Sequence, residues 1–308
     1  MNKIEVVKIH TLKGHKDCIY TLKRADTDSR FFSGAGDGLV VLWDLKDPDK
    51  GEVIAKVNTS IYALDYCKFQ DVLVLGQNYD GIHIMEVNSK KHIASLKLTT
   101  AAIFDIKLLD KKIYIGTGEG ELIIVNKENV SVEYRIKHSE KSLRCFEIDP
   151  LNRLLIAGYS DNSIRIFNLD DYSLVKVIEA HNNSVFTLCF SGDYNYLLSA
   201  GRDAHLKIWD AKKDFELKES IVAHMYAINH IEYSPDAQYF VTCSMDKSIK
   251  VWDANKFKLL KVIDKARYAG HGTSVNKLMW SKFNNYLVSC SDDRTISVWN
   301  LPIQHQLP

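Results

Sequence analysis

The stretch "SAGRDAHLKIWD", Ser199–Asp210, holds a serine and an aspartate four residues apart, and His181 lies eighteen residues before that serine. Serine, histidine and aspartate together can form a nucleophilic relay. The stretch is not unique, however. "SGAGDGLVVLWD" starts at Ser33, "AGYSDNSIRIFN" at Ala157, "TCSMDKSIKVWD" at Thr242 and "SCSDDRTISVWN" at Ser289. Weaker copies, "GQNYDGIHIMEV" at Gly76 and "IGTGEGELIIVN" at Ile115, fill the gap between the first two. Their closing position falls at Trp43, Met85, Val125, Phe167, Trp209, Trp252 and Trp299, with successive spacings of 42, 40, 42, 42, 43 and 47 residues. A period of this length marks an architecture built by repeating one supersecondary unit.

Each unit reads as four short strands. In the fifth, "VFTLCF", "YLLSA", "HLKIW" and "FELKESIV" are apolar or alternating runs, separated by the turn clusters "SGDYN", "GRD" and "DAKKD". Runs of that length with period-two alternation predict strands, and no segment carries a helical period. The five prolines sit in or beside turns. A four-stranded unit cannot bury both of its faces alone, and stacking such units radially protects their edges.

Composition sets the outer limits. With 40 basic against 39 acidic residues there is no global electrostatic drive toward nucleic acid. The start "MNKIEVVKIHTLKGHKD" has no apolar core, and no later run is long enough to span a membrane, so neither a secretory signal nor a membrane anchor is expected. Cys18, Cys67, Cys145, Cys189, Cys243 and Cys290 form no CxxC pair and lie in apolar runs. They read as buried thiols in a reducing, cytoplasmic setting. "GTGEGE" at Gly116 has no following helix and reads as a repeat turn. His83, His92, His205 and His230 make no spaced ligand set, so neither a metal nor a cofactor is expected.

Gly14-His15, Ala180-His181, Ala223-His224 and Gly270-His271 open units, and Trp43-Asp44, Trp209-Asp210, Trp252-Asp253 and Trp299-Asn300 close them. On these markers the chain resembles the WD-repeat (WD40) family over essentially its whole length. The resemblance implies an all-β, seven-bladed β-propeller of four-stranded antiparallel blades, a single domain over residues 1–308. The last unit ends at its third strand, so the resemblance also implies that an N-terminal strand, Ile4 to Leu12, completes blade seven and closes the ring.

Four units share one spacing: His15, Ser33, Asp37, Trp43; His181, Ser199, Asp203, Trp209; His224, Thr242, Asp246, Trp252; and His271, Ser289, Asp293, Trp299. A catalytic group is normally present once, whereas this quartet recurs at one periodic position. The resemblance implies a structural hydrogen-bonded tetrad, and a buried polar group needs such partners. The quartet decays elsewhere. Unit four keeps His138 and Asp161 but has Ala157 and Phe167, unit three has Glu119 and Val125, and in unit two either Tyr79 or Asp80 takes the aspartate position.

Function is then expected at the channel mouth, on the face of the Gly-His loops. The resemblance places two positions per unit there. The first set is Tyr20, Tyr62, Phe104, Arg144, Phe186, Asn229 and Asn276; the second is Gly36, Asn78 or Tyr79, Gly118, Ser160, Arg202, Met245 and Asp292. Aromatic, Met and Arg side chains are enriched at binding hot spots. A longer connection at "DKARYAGHG" adds Lys265, Arg267 and Tyr268 on the same face. The leading expectation is a monomeric, noncatalytic scaffold binding an extended peptide segment of a partner protein. An accessory subunit of a ribonucleoprotein or transcription assembly is the alternative. A propeller enzyme or small-ligand binder ranks lower, because the mouth positions offer few converging ionisable groups.

Overall fold

The computed structural model describes residues 3–304 and contains seven four-stranded antiparallel sheets. The expected span of 1–308 therefore extends at both ends into residues outside those described. In blade five the strands are Val185–Phe190, Tyr196–Gly201, His205–Asp210 and Glu216–Val222, in that spatial order. The other six blades repeat the pattern, and the first strands of successive blades pack beside one another around the central axis.

No blade has a core of its own. Buried apolar side chains form seven clusters, and each draws on two neighbouring blades. Between blades five and six, for example, Leu198, Ile208 and Ala223 meet Ile231, Phe240 and Trp252. Stability therefore depends on nearest-neighbour contacts, as in other repeat proteins.

The ring closes through the N-terminal segment. Val7–Lys13 pairs antiparallel with Thr295–Asn300 as the outer strand of blade seven, with Leu12 opposite Ile296. The expected single strand from Ile4 is in fact broken. Lys3–Ile4 pairs separately with Ile303–Gln304, and Glu5 N–H donates to the Pro302 carbonyl at 3.1 Å. Leu12 fills the interface between blades seven and one, and Ile4 and Val6 that between six and seven.

The connection after blade six holds one turn of helix, Lys265–Tyr268, where the sequence carried no helical period. Asp264 caps it by accepting from Arg267 N–H at 2.9 Å. A single capped turn is too short to display a period.

Candidate functional site

All four tetrads form. In blade five His181 Nδ1 lies 3.0 Å from Asp203 Oδ2, His181 Nε2 lies 2.7 Å from Ser199 Oγ, and Trp209 Nε1–H donates to the same Oγ at 2.8 Å. Blades one, six and seven repeat this chain through His15, His224 and His271, with Thr242 as the hydroxyl in blade six. A carboxylate only accepts, so Nδ1 carries the imidazole proton and the hydroxyl donates to Nε2 while accepting from the indole. The Ser–His–Asp order is that of a hydrolase, but Ser199 is 0% exposed and both of its roles are filled. The assembly locks a loop and a turn.

Its electrostatics follow from burial. Desolvation opposes the charged form of Asp203, Asp246 and Asp293, yet hydrogen bonds from the histidine and from backbone amides outweigh it and hold each carboxyl well below the usual range. Burial lowers His15 and His224 below the ordinary imidazole value against the pull of Asp37 and Asp246, and it lowers His83 and His230 too. As pH falls below about 6.5 the unfolded chain therefore takes up protons that the folded one resists, and stability is lost. Urea unfolding at about pH 7.5 and about pH 5.5 should show a loss of at least roughly 1 kcal/mol at the lower pH, since each fully differential proton is worth about 1.4 kcal/mol per unit. Equal stability at both values would contradict this electrostatic account.

The degenerate blades differ in informative ways. In blade four Ser139, not His138, occupies the histidine position: Ser139 Oγ donates to Asp161 Oδ2 at 2.6 Å, while the exposed His138 ring packs on Phe167 at 5.4 Å. In blade three Glu119 accepts from Thr99 and Thr100 at 3.2 Å each. In blade two the backbone resolves the ambiguity. Asn78 N–H donates to the Ser60 carbonyl, as Arg202 N–H does to Ser184, so Asn78 is the second-set residue and Tyr79 stands in the aspartate slot. Tyr79 also takes the left-handed conformation (φ 67°) that the next residue adopts in other blades, such as Gly38 (φ 74°) and Ala204 (φ 61°).

The first-set residues line a central channel of about 630 Å³. Six of the seven share a local cause. The pairing of first and second strands shifts register at Tyr20, Phe104, Arg144, Phe186, Asn229 and Asn276, so each is the extra residue of a β-bulge. A bulge leaves its residue out of the ladder and re-aims its side chain. Tyr62 lies just before its strand, Leu64–Cys67.

Five of these side chains form a continuous arc over blades one to five. Tyr20 meets Tyr62 edge-on at 4.7 Å, Tyr62 stacks with Phe104 at 5.9 Å, and the Arg144 guanidinium lies 3.8 Å from the Phe104 centroid and 4.7 Å from that of Phe186. Arg144 has no acidic or hydrogen-bonding partner among the described residues, and none of its nitrogens is sealed from solvent. Asn229 and Asn276 instead stitch blades together, donating to the Val275 and Ile19 carbonyls at 2.8 and 2.9 Å.

Tyr79, from the aspartate slot of blade two, lines the same channel, and the second-set residues Arg202 and Met245 are exposed on turns around it. Asp292 is held by Asn276 at 2.7 Å. The blade-six connection does not reach the channel lining. Arg267 pairs with Asp264 at 2.7 Å, Tyr268 packs on the cluster between blades six and seven, and Lys265 stays exposed. Lys8 Nζ donates to the Ala269 carbonyl at 2.8 Å, so the connection braces the closing strand.

Ionisable groups do converge, deeper than the mouth. Lys23 pairs with Asp65 at 2.5 Å, Lys107 with Glu147 at 2.8 Å, and Arg24 with Glu232. Asp65, Asp105 and Glu232 also accept the N–H groups of Leu108, Phe146 and Trp280, each on the next blade's first strand. These carboxylates satisfy the inner edges of the sheets. Two histidines that the sequence kept apart also meet: Ser95 Oγ lies 2.7 Å from both His83 Nδ1 and His92 Nε2. Among the described residues no group of three or more His, Cys, Asp or Glu could hold a metal, and no helix is long and apolar enough to cross a membrane.

Comparisons with known proteins agree with this geometry. The family described as WD domain, G-beta repeat matches residues 6–44, 131–168, 172–210, 215–253 and 263–300, omitting most of the degenerate blades two and three. Among curated proteins the chain is similar to Transducin beta-like protein 3 of Bos taurus, 40% identical over 70 residues covering 23% of this chain and 9% of that protein. It is 24% identical to Striatin-3 of Homo sapiens over 236 residues, 65% of this chain and 27% of the relative. It is 22% identical to THO complex subunit 6 homolog of Danio rerio over 177 residues, covering 51% and 54%. The chain thus spans about half or less of the length of each. The crystal structure of the WD40 beta propeller domain of Doa1 superposes with a TM-score of 0.84 at 18% identity, over 96% of this chain and 97% of that one. With the family match covering well over half of its residues, the chain belongs to the WD40 family.

Proposed function

We propose that this protein is a noncatalytic scaffold that binds an extended segment of a partner protein across the channel mouth. The observation that carries this reading is the arc from Tyr20 to Phe186, bulge-presented at all but Tyr62, at whose centre Arg144 has donors but no acceptor among the described residues. Bulged residues escape the pairing constraints of the sheet, so their side chains are free to serve recognition. An aromatic surface around a guanidinium that lies over Phe104 and Phe186 and has no acidic partner among the described residues suits a segment with apolar and acidic side chains. The reading is noncatalytic because the channel's deeper ionisable groups are largely committed to one another and to backbone N–H groups. Six free cysteines accord with a cytoplasmic location.

Alanine replacement of Tyr62, Phe104, Arg144 and Phe186, one at a time, tests it. Partner capture from cell extract should fall while the melting temperature stays within a few degrees, because these side chains are only half-buried. A large loss of stability with capture retained would instead assign the arc to blade packing. The likeness to THO complex subunit 6 homolog, by its name one subunit of a complex, favours a second reading, docking through protein contacts as an accessory subunit of a larger assembly. Tight, strongly salt-dependent binding of the isolated protein to RNA would contradict both readings.

A further inference from the structure

Blade six departs from its counterparts on the mouth face. The two residues after the tetrad histidine are Lys16-Asp17 in blade one, Asn182-Asn183 in blade five and Gly272-Thr273 in blade seven, but Met225-Tyr226 in blade six. Met225 is 82% exposed, Tyr226 62%, and Met245 on the adjacent turn 51%. The backbone brings the three together. Met225 N–H donates to Asp246 Oδ2 at 3.2 Å, Met245 N–H to the Ala227 carbonyl at 3.0 Å, and Ser244 Oγ to the Tyr226 carbonyl at 3.1 Å. Three large, adaptable apolar side chains held in the open at one place mark an interaction surface.

The uncompensated charge beside this platform is positive. Arg202 lies on the blade-five turn whose Ala204 carbonyl accepts from Ala223 N–H at 3.1 Å, so it stands where the Met225 loop begins. Lys247 follows on the blade-six turn, and neither cation has an acidic partner among the described residues. Asp203 and Asp246 on the same turns are engaged by His181, His224 and backbone amides. Toward the channel, Arg202 N–H donates to the Ser184 carbonyl at 2.9 Å, two residues before Phe186, whose ring lies 4.7 Å from the Arg144 guanidinium.

We infer that the partner segment leaves the mouth over blades five and six, with an acidic side chain over Arg144 and Arg202 and a large apolar side chain on Met225, Tyr226 and Met245. This rests on the reading of the mouth as a partner site and adds the direction of the segment and its side-chain pattern. Cationic donors without acceptors supply charge complementarity, and the platform supplies the apolar anchor.

The probe is a phage-displayed library of random peptides selected on the intact protein, followed by fluorescence anisotropy with the consensus peptide. Selected sequences should carry Asp or Glu near a Leu, Met or aromatic residue. Met225→Ser combined with Tyr226→Ser should weaken the consensus peptide about tenfold or more, the scale of a hot-spot side chain. Arg202→Glu should weaken it comparably, and Arg202→Lys should restore most of the loss. All of these side chains are exposed, so melting temperatures should not move. A consensus without acidic residues overturns the inference. So does a peptide whose affinity falls with Phe104→Ala but not with the platform or Arg202 variants; the mouth reading then survives without it. Dependence on the platform and Arg202 but not on Tyr62 or Phe104 upholds the strip and removes the arc. A library that yields no binder removes both.

Discussion

Deleting residues 1–12 should lower the melting temperature by more than about 10 °C. The deletion removes Leu12 from the interface between blades seven and one, and Ile4 and Val6 from that between six and seven. Full burial of such side chains contributes about 1.5–3 kcal/mol each, so the three together account for several kcal/mol. The outer edge of Thr295–Asn300 is also left unpaired. At about 2–4 °C per kcal/mol for domains of 150–250 residues, the expected shift exceeds 10 °C. Differential scanning calorimetry of the shortened chain checks this, and an unchanged melt would contradict the closure.

Ser289→Ala should destabilise the protein by about 2–4 kcal/mol, because one oxygen serves two buried partners and each orphaned group costs about 1–3 kcal/mol. Ser289 Oγ lies 2.9 Å from His271 Nε2 and accepts from Trp299 Nε1–H at 2.9 Å, and the residue is 0% exposed. Ser297 is the internal control. It is equally buried and lies on the neighbouring strand, but its Oγ has no partner among the described residues. Ser297→Ala should be neutral or mildly stabilising, because it removes a buried hydroxyl that makes no hydrogen bond. Denaturant midpoints of the two variants decide the matter: equal losses would mean that the tetrad adds nothing beyond local packing.

What could be read from the sequence followed repetition. Trp43, Trp209, Trp252 and Trp299, with their histidines at fixed spacing, announced both the blades and the tetrads, because one buried network imposes the same residues wherever it recurs. Where the network lapses, residue type misleads. His138 looked like the loop histidine of blade four, yet Ser139 bonds Asp161 and His138 is exposed. Tyr79 escaped placement because the left-handed residue of its turn moves one position forward. The mouth positions were legible as residue types, but not their cause: a bulge inserts one residue without changing the apolar pattern on either side. The ion pairs below the mouth link residues 40 positions apart, as for Lys107 and Glu147, or 208 apart, as for Arg24 and Glu232, and no local pattern couples them. Met225 and Tyr226 were missed for a simpler reason. They follow a conspicuous histidine in a loop, where only exposure separates a binding residue from a packing one.

The central claim, that the fold is held by the tetrads while recognition belongs to the mouth, is tested most directly by lysine cross-linking of the affinity-purified protein with its partners. The two sets of loops place lysines on opposite faces: Lys16, Lys141, Lys247 and Lys265 with the Gly-His loops and tetrad turns, and Lys46, Lys111, Lys212 and Lys282 in the connections at the other end of the strands. Partner cross-links should concentrate on Lys16, Lys141 and Lys247 and fall away in the Arg144→Ala protein. Links concentrated on Lys46, Lys111, Lys212 and Lys282, or unaltered by Arg144→Ala, would contradict the account.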